Sequence, residues 1–103
     1  MYRYTTPILP ITLSGIDFSE VSVFRVKMKQ GSVMELLKEI SVGDPHIDSE
    51  NHKIYVPLTQ EETASFVKGT VDLQIRMKLS NGDVCATNEV VLPVKNVLDE
   101  VII

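Results

Sequence analysis

The chain has 103 residues, 11.5 kDa, with 44% hydrophobic and 23% charged residues and only five each of Gly and Pro. That composition suits a single domain over residues 1–103 with one core, and it excludes multidomain and disordered chains. Ten Lys and Arg against fourteen Asp and Glu give a net charge of −4 and a pI near 5.0, so no global attraction draws the chain to nucleic acid or to an anionic membrane.

About 30 residues are Val, Ile or Thr, whose β-branched side chains fit a pleated surface better than a helix. In the first predicted strand Leu9, Ile11 and Leu13 alternate with polar or small positions, and Pro7 and Pro10 place it at a sheet edge, where a missing N–H can face solvent. In the second, Phe24, Val26 and Met28 alternate with Arg25, Lys27 and Lys29. The 33–42 stretch is ambiguous, because Val33, Leu36, Leu37 and Ile40 fit a helical stripe while its neighbours read as strand; one or two strands are expected there. A later strand carries Ile54, Val56 and Leu58 against Tyr55 and Pro57. Thr59 with Glu62 three residues on is a capping box, predicting one short helical turn near 59–65.

The clearest strand runs from Gly69 to Leu79. Val71, Leu73, Ile75, Met77 and Leu79 alternate with Asp72, Gln74, Arg76 and Lys78, which separates a buried face from a wet one. Asn81-Gly82 then predicts a type I′ hairpin with positive φ at both residues, and the chain returns through Val84, Cys85 and Ala86 to Val90, Leu92 and Val94. About seven short strands with no long helical pattern indicate an all-β fold, a two-layer antiparallel β-sandwich with the helical turn as the crossover between sheets.

The single cysteine, Cys85, cannot form an intrachain disulfide, which favours a reducing cytosol. Met1-Tyr2-Arg3-Tyr4-Thr5-Thr6-Pro7 lacks the basic region and apolar core of a secretory signal, and no apolar run approaches the roughly 20 residues of a membrane span. No catalytic residue, cofactor or metal site is expected. Asp44, His46, Asp48, Glu50 and His52 would share one face of an extended strand, but Ser49 and Tyr55 stand where a calcium loop needs Gly and Glu, and no zinc spacing is present, so a solvated hairpin loop is expected. Cys85 follows Asp83 and lacks an electropositive setting, which suits a packed thiol better than a nucleophile paired with His46 or His52. No nucleophile elbow or phosphate-cradling glycine loop occurs.

Two features bear on partners. Arg25, Lys27 and Lys29 form one basic row and Arg76 with Lys78 another. Without interleaved aromatics they read as solvated sheet faces or as part of a subunit interface rather than as a nucleic-acid site. The C-terminal Val97, Leu98, Val101, Ile102 and Ile103 are apolar where chain ends are commonly polar, so they either complete the core as a short last strand or dock on a neighbouring subunit. A saccharide-binding module would need exposed aromatics, for which Tyr2, Tyr4 and Tyr55 are the candidates in a chain without Trp.

Leu58-Thr59-Gln60-Glu61-Glu62-Thr63, Phe66 to Gly69, Val71-x-Leu73-Gln74-Ile75-Arg76, Asn81-Gly82, Ala86-Thr87-Asn88 and Val97-Leu98-Asp99-Glu100-Val101-Ile102, with Thr5-Thr6-Pro7 and Lys29-Gln30-Gly31, span most of the chain. In these blocks it resembles small prophage-encoded proteins of Gram-positive bacteria, similar to the N-terminal domain of phage baseplate upper proteins. The resemblance implies an immunoglobulin-like β-sandwich and a noncatalytic virion part of the tail or baseplate. Such a part is made in the host cytoplasm and assembled with copies of itself or with other phage structural proteins. Glu100 departs from the glycine expected in related tails, and the 44–52 loop is particular to this chain.

Overall fold

A computed structural model describes residues 1–32, 34–87 and 89–103. Val33, counted above in the helical stripe, and Asn88, part of one resemblance block, lie outside the described residues. The elements in order are β1 (Ile8–Thr12), a 3-10 turn (Phe18–Glu20), β2 (Val21–Gln30), β3 (Met34–Ser41), β4 (Ile47–Asp48), β5 (Lys53–Pro57), α1 (Gln60–Ser65), β6 (Gly69–Leu79), β7 (Val84–Ala86) and β8 (Val90–Val94).

They form two antiparallel sheets. The smaller has the order β1-β5-β4; the larger runs β3-β2-β6, with β7 and β8 pairing successive parts of the far edge of β6. The alternation read in β2 and β6 sets their register. Phe24 faces Met77, Val26 faces Ile75 and Met28 faces Leu73, and all six are buried on one side of the larger sheet. Ile54, Val56 and Leu58 from the smaller sheet and its exit join them, with Leu13, Phe18, Phe66 and Val94, in one core. A one-residue slip of β6 would turn four buried side chains outward, so the pattern excludes it.

The 33–42 ambiguity resolves as one strand: Met34 to Ser41 pairs β2 without interruption from Gln30 to Val23. Leu36 and Ile40 turn inward and Leu37 outward, a period of two that the β2 ladder imposes over the helical stripe. The 59–65 turn forms α1, which carries the chain from the smaller sheet to the larger. The Glu62 N–H donates to Thr59 Oγ1 (3.1 Å) and the Thr59 N–H to Glu62 Oε1 (2.9 Å), the reciprocal capping box.

The β6–β7 turn differs from expectation. Only Gly82 has positive φ (93°); Asn81 does not, so the turn is not type I′. The Gly82 N–H donates to the Leu79 carbonyl (2.9 Å) and the Leu79 N–H to the Asp83 carbonyl (2.8 Å), a three-residue loop closed by a glycine bulge. Asn81 is held in this form because its side-chain oxygen accepts from the Asp83 N–H at 2.9 Å.

Strand edges are blunted. The Leu13 N–H donates to His52 and the Leu58 N–H to Pro7, so odd-numbered residues of β1 bond β5 and Pro10 lies on the outward-facing set. In β8, the Pro93 and Lys95 carbonyls accept from the Met1 amine and the Arg3 N–H; Pro93 therefore also sits on the outward side. On the free edge strand β3, Lys38 turns toward α1 and pairs with Glu62 at 2.7 Å. An inward-pointing charge and edge prolines both oppose strand addition.

Two outcomes follow from this packing. Ile75→Ala, at a 1% exposed site, should cost about 2–5 kcal/mol in chemical denaturation; a loss under about 1 kcal/mol would mean that β6 is not at the centre of the core. For Glu62, burial raises the carboxyl pKa, but the Lys38 and Thr59 hydrogen bonds and the Lys38 charge outweigh it and hold the pKa below its ordinary value of 4.5. A depressed carboxylate contributes stability that is present above pH 4.5 and lost as pH falls through the lower folded-state value. Glu62→Gln should therefore lose about 0.5–1 kcal/mol at neutral pH and show a flatter decline below pH 4.5 than the parent, followed by denaturation midpoints across pH.

Candidate functional site

The C-terminal segment leaves β8 at Val94, makes one parallel bridge between Tyr2 and Lys95, and has no strand or helix from residue 96 to 103. Polar contacts hold it at Asn96, Glu100 and Ile103 while four of its five apolar side chains stay exposed. Leu98 is fully exposed, Ile103 is 94% exposed, Val101 and Ile102 are exposed, and Val97 is half-buried. None of the five joins the core. The short last strand considered for this segment does not form; the outward edge of β8 is taken by Met1 and Arg3, which bond the Pro93 and Lys95 carbonyls.

Arg3 organises this end of the molecule. Its guanidinium, whose side chain is 15% exposed, donates to the Ala64 carbonyl (2.9 Å), the Phe66 carbonyl, Asn96 Oδ1 (3.1 Å) and Glu100 Oε1 (3.2 Å). The first two are carbonyls at the C-terminal end of α1, which lack intrahelical partners; the last two belong to the C-terminal segment. Further along, the Ile103 N–H donates to Gln60 Oε1 (3.0 Å) and Gln60 Nε2 returns a bond to the Ile103 carbonyl. Glu100, the departure from the expected glycine, is thus a fastening for the tail. The contact joins residues 97 positions apart, and no local pattern in the sequence could have shown it.

The 44–52 loop does not bring its polar side chains to one face. Asp44 Oδ1 accepts from the His46 backbone N–H (2.8 Å) and lies 2.7 Å from His46 Nδ1; those two contacts, the backbone one first, hold the Asp44 carboxyl below its ordinary value. Asp48 accepts from the Asn51 side chain (2.8 Å) and backbone (3.2 Å), which lowers its pKa in the same way. His52, at φ 53°, turns its ring edge-on to Phe18 at 5.7 Å and its Nδ1 toward the Ile16 carbonyl at 3.2 Å. The left-handed residue and the two-residue β4 break the extended run on which a shared face depends. Among the described residues no three of His, Cys, Asp and Glu gather closely enough to hold a metal.

Cys85 lies on β7 opposite Met77, half-buried against the core with its thiol toward the Met77 carbonyl at 4.0 Å. Both histidines belong to the loops flanking β4, in the other sheet. The tyrosines separate too: Tyr2 and Tyr4 flank Arg3, whose guanidinium sits 5.2 Å from the Tyr4 ring centroid, while Tyr55 is on β5 in the middle of the smaller sheet.

The two basic rows do meet. On the outer face of the larger sheet Arg25 stands directly opposite Arg76, Lys27 opposite Gln74 and Lys29 opposite Asp72, with Glu39 and Glu35 on β3 across from Arg25 and Lys29. Between the sheets, β1 and β8 leave an apolar cleft of about 310 Å³ lined by Leu9, Ile11, Leu73, Val90 and Leu92. Among the described residues no helix is long and apolar enough to cross a membrane.

Arg3→Ala would orphan two helix-end carbonyls and release the C-terminal segment. The expected result is a loss of about 1–3 kcal/mol in stability and faster proteolytic trimming after Lys95, read by mass spectrometry; unchanged trimming would show that Gln60 alone secures the segment.

Compared with family models, with curated proteins and with solved structures, the chain gives no match.

Proposed function

We propose that this chain is a noncatalytic structural and assembly protein of phage origin, a tail or baseplate component that works by protein–protein docking. Its two sheets are read as an immunoglobulin-like β-sandwich. The observation that carries the docking reading is the C-terminal segment: Leu98, Val101, Ile102 and Ile103 are exposed together on a backbone that Arg3 and Gln60 hold in place. Exposed aliphatic side chains on an ordered backbone can bury apolar area at little ordering cost, which favours association. Val97, Leu98, Val101, Ile102 and Ile103 are the docking residues, and the partners are copies of this chain or other phage structural proteins. The phage assignment rests on the resemblance described above. It carries with it assembly in the host cytoplasm followed by incorporation into the virion.

The blunted edges of β1 and β8 favour side-chain docking over strand addition. The cleft between those edges, with the exposed Val90 in its lining, offers a second apolar surface for the same assembly.

Removing Val101 to Ile103, or replacing Leu98, Val101 and Ile103 by Ser, should leave the melting temperature within a few degrees of the parent and lower the associated mass seen by light scattering. Variants that associate like the parent and melt alike would overturn the docking role. Variants that unfold would return the segment to the core.

A further inference from the structure

The outer face of the larger sheet is unevenly balanced in charge. Toward β8 it is neutralised locally: Glu35 pairs with Lys27 (2.9 Å) and Lys29 (3.7 Å), and Asp72 stands opposite Lys29. Toward β7 the register places Arg25 directly across from Arg76, and Lys78 one row on, beside Val23 and Val84. Glu39 pairs with Arg25 at 3.2 Å; among the described residues neither Arg76 nor Lys78 has an acidic partner. Like charges directly opposed on neighbouring strands are destabilising, and here three cations and one carboxylate line a pocket of about 340 Å³. The chain as a whole is acidic, at −4, so this corner has the opposite sign to the molecule that carries it.

A ligand for the corner needs carboxylates to pair with the guanidinium and ammonium groups, which bind them in charge-assisted hydrogen bonds. It also needs apolar neighbours to cover Val23 and the exposed Val84. Leu98-Asp99-Glu100-Val101 has that composition and is itself exposed. It cannot reach the corner of its own chain. The segment departs from β8 at Val94, opposite Gly69, whereas Arg76 and Lys78 lie seven to nine residues further along β6, roughly 23–30 Å at strand rise. Meanwhile Asn96, Glu100 and Ile103 are tied to Arg3 and Gln60.

We propose that the Arg25–Arg76–Lys78 corner of one copy receives the 98–101 segment of a second copy, joining chains end to end. The inference rests on the reading of the C-terminal segment as a docking element and names what that segment docks on. Asp99 supplies the free carboxylate, and Glu100 reaches the corner with the face it does not turn to Arg3. The contact is heterologous, with a tail on one side and a sheet face on the other, so successive copies build a ring or a filament according to whether the rotation closes. The molecule is elongated, 46 by 27 by 18 Å, and this geometry places the contact at the two ends of the β6 strand direction.

The test uses the full chain and its association constant from sedimentation velocity, with melting curves to show that each variant is folded. Arg76→Glu with Lys78→Glu should weaken self-association by about tenfold or more, as should Asp99→Lys. Raising salt from about 0.05 M to about 0.5 M should weaken the parent and leave the variants little changed. Mixing the two folded variants is decisive: the intact tail of the first meets the intact corner of the second, and an associated species should reappear that neither forms alone. A mixture that stays monomeric overturns the inference, and so does a corner variant that associates as the parent does. If Leu98→Ser weakens association while the corner variant does not, the docking role of the segment stands and its receiving surface lies elsewhere. A parent that is monomeric at every concentration overturns the second copy as the occupant.

Discussion

The pairing of β2 with β6 is the constraint on which the rest depends. These two central strands set Phe24 against Met77, Val26 against Ile75 and Met28 against Leu73, and no other ladder buries side chains so completely on one face. Once that register is set, the opposite face is set as well, because strand side chains alternate. The pairing that seals Val26 against Ile75 also obliges Arg25 to stand against Arg76. Core and outer surface are two sides of one decision, and a repulsive pair outside persists because the apolar gain inside is larger.

The periphery hangs from this ladder through a few polar contacts at its ends. Gln30, the last residue of β2, exchanges two hydrogen bonds with the Val67 backbone, at 2.7 and 2.8 Å, tying the exit of α1 to the larger sheet. Thr63, fully buried on α1, accepts from the Thr5 N–H and donates to the Thr5 carbonyl, so the N-terminal stretch is fastened before Arg3 collects the helix end and the C-terminal segment. A six-residue helix is too short to be stable alone. It persists because its cap closes the first turn, its buried threonine binds it to the N-terminal stretch and the Lys38–Glu62 pair binds it to β3.

The C-terminal segment is held in place without being covered. Arg3 and Gln60 act on the backbone and the polar side chains of residues 96 to 103, leaving the aliphatic side chains to solvent. Under the proposed docking role, a partner would gain apolar burial without first having to order the chain, and that ordering entropy is the usual cost of binding through a flexible tail.

Local sequence determined the strands other than β3 and β4, the buried faces of β2, β5 and β6, the capped helical turn and the edge position of β1, since alternation, a capping box and two prolines each act over residues only a few positions apart. It could not determine what depends on partners distant in the chain. The helical stripe in 33–42 and the strand that replaces it are equally consistent with Leu36, Leu37 and Ile40 until β2 is alongside. Asn81-Gly82 marked the turn but not its type, because one side-chain hydrogen bond to Asp83 decides between the two forms. The even-numbered polar residues from Asp44 to His52 share a face only on an extended chain, and the turns on either side of the two-residue β4, with the left-handed His52, remove it. The role of Glu100 depends on Arg3; contacts spanning nearly the whole chain arise only when the ends meet in space, and only the tertiary structure brings them there.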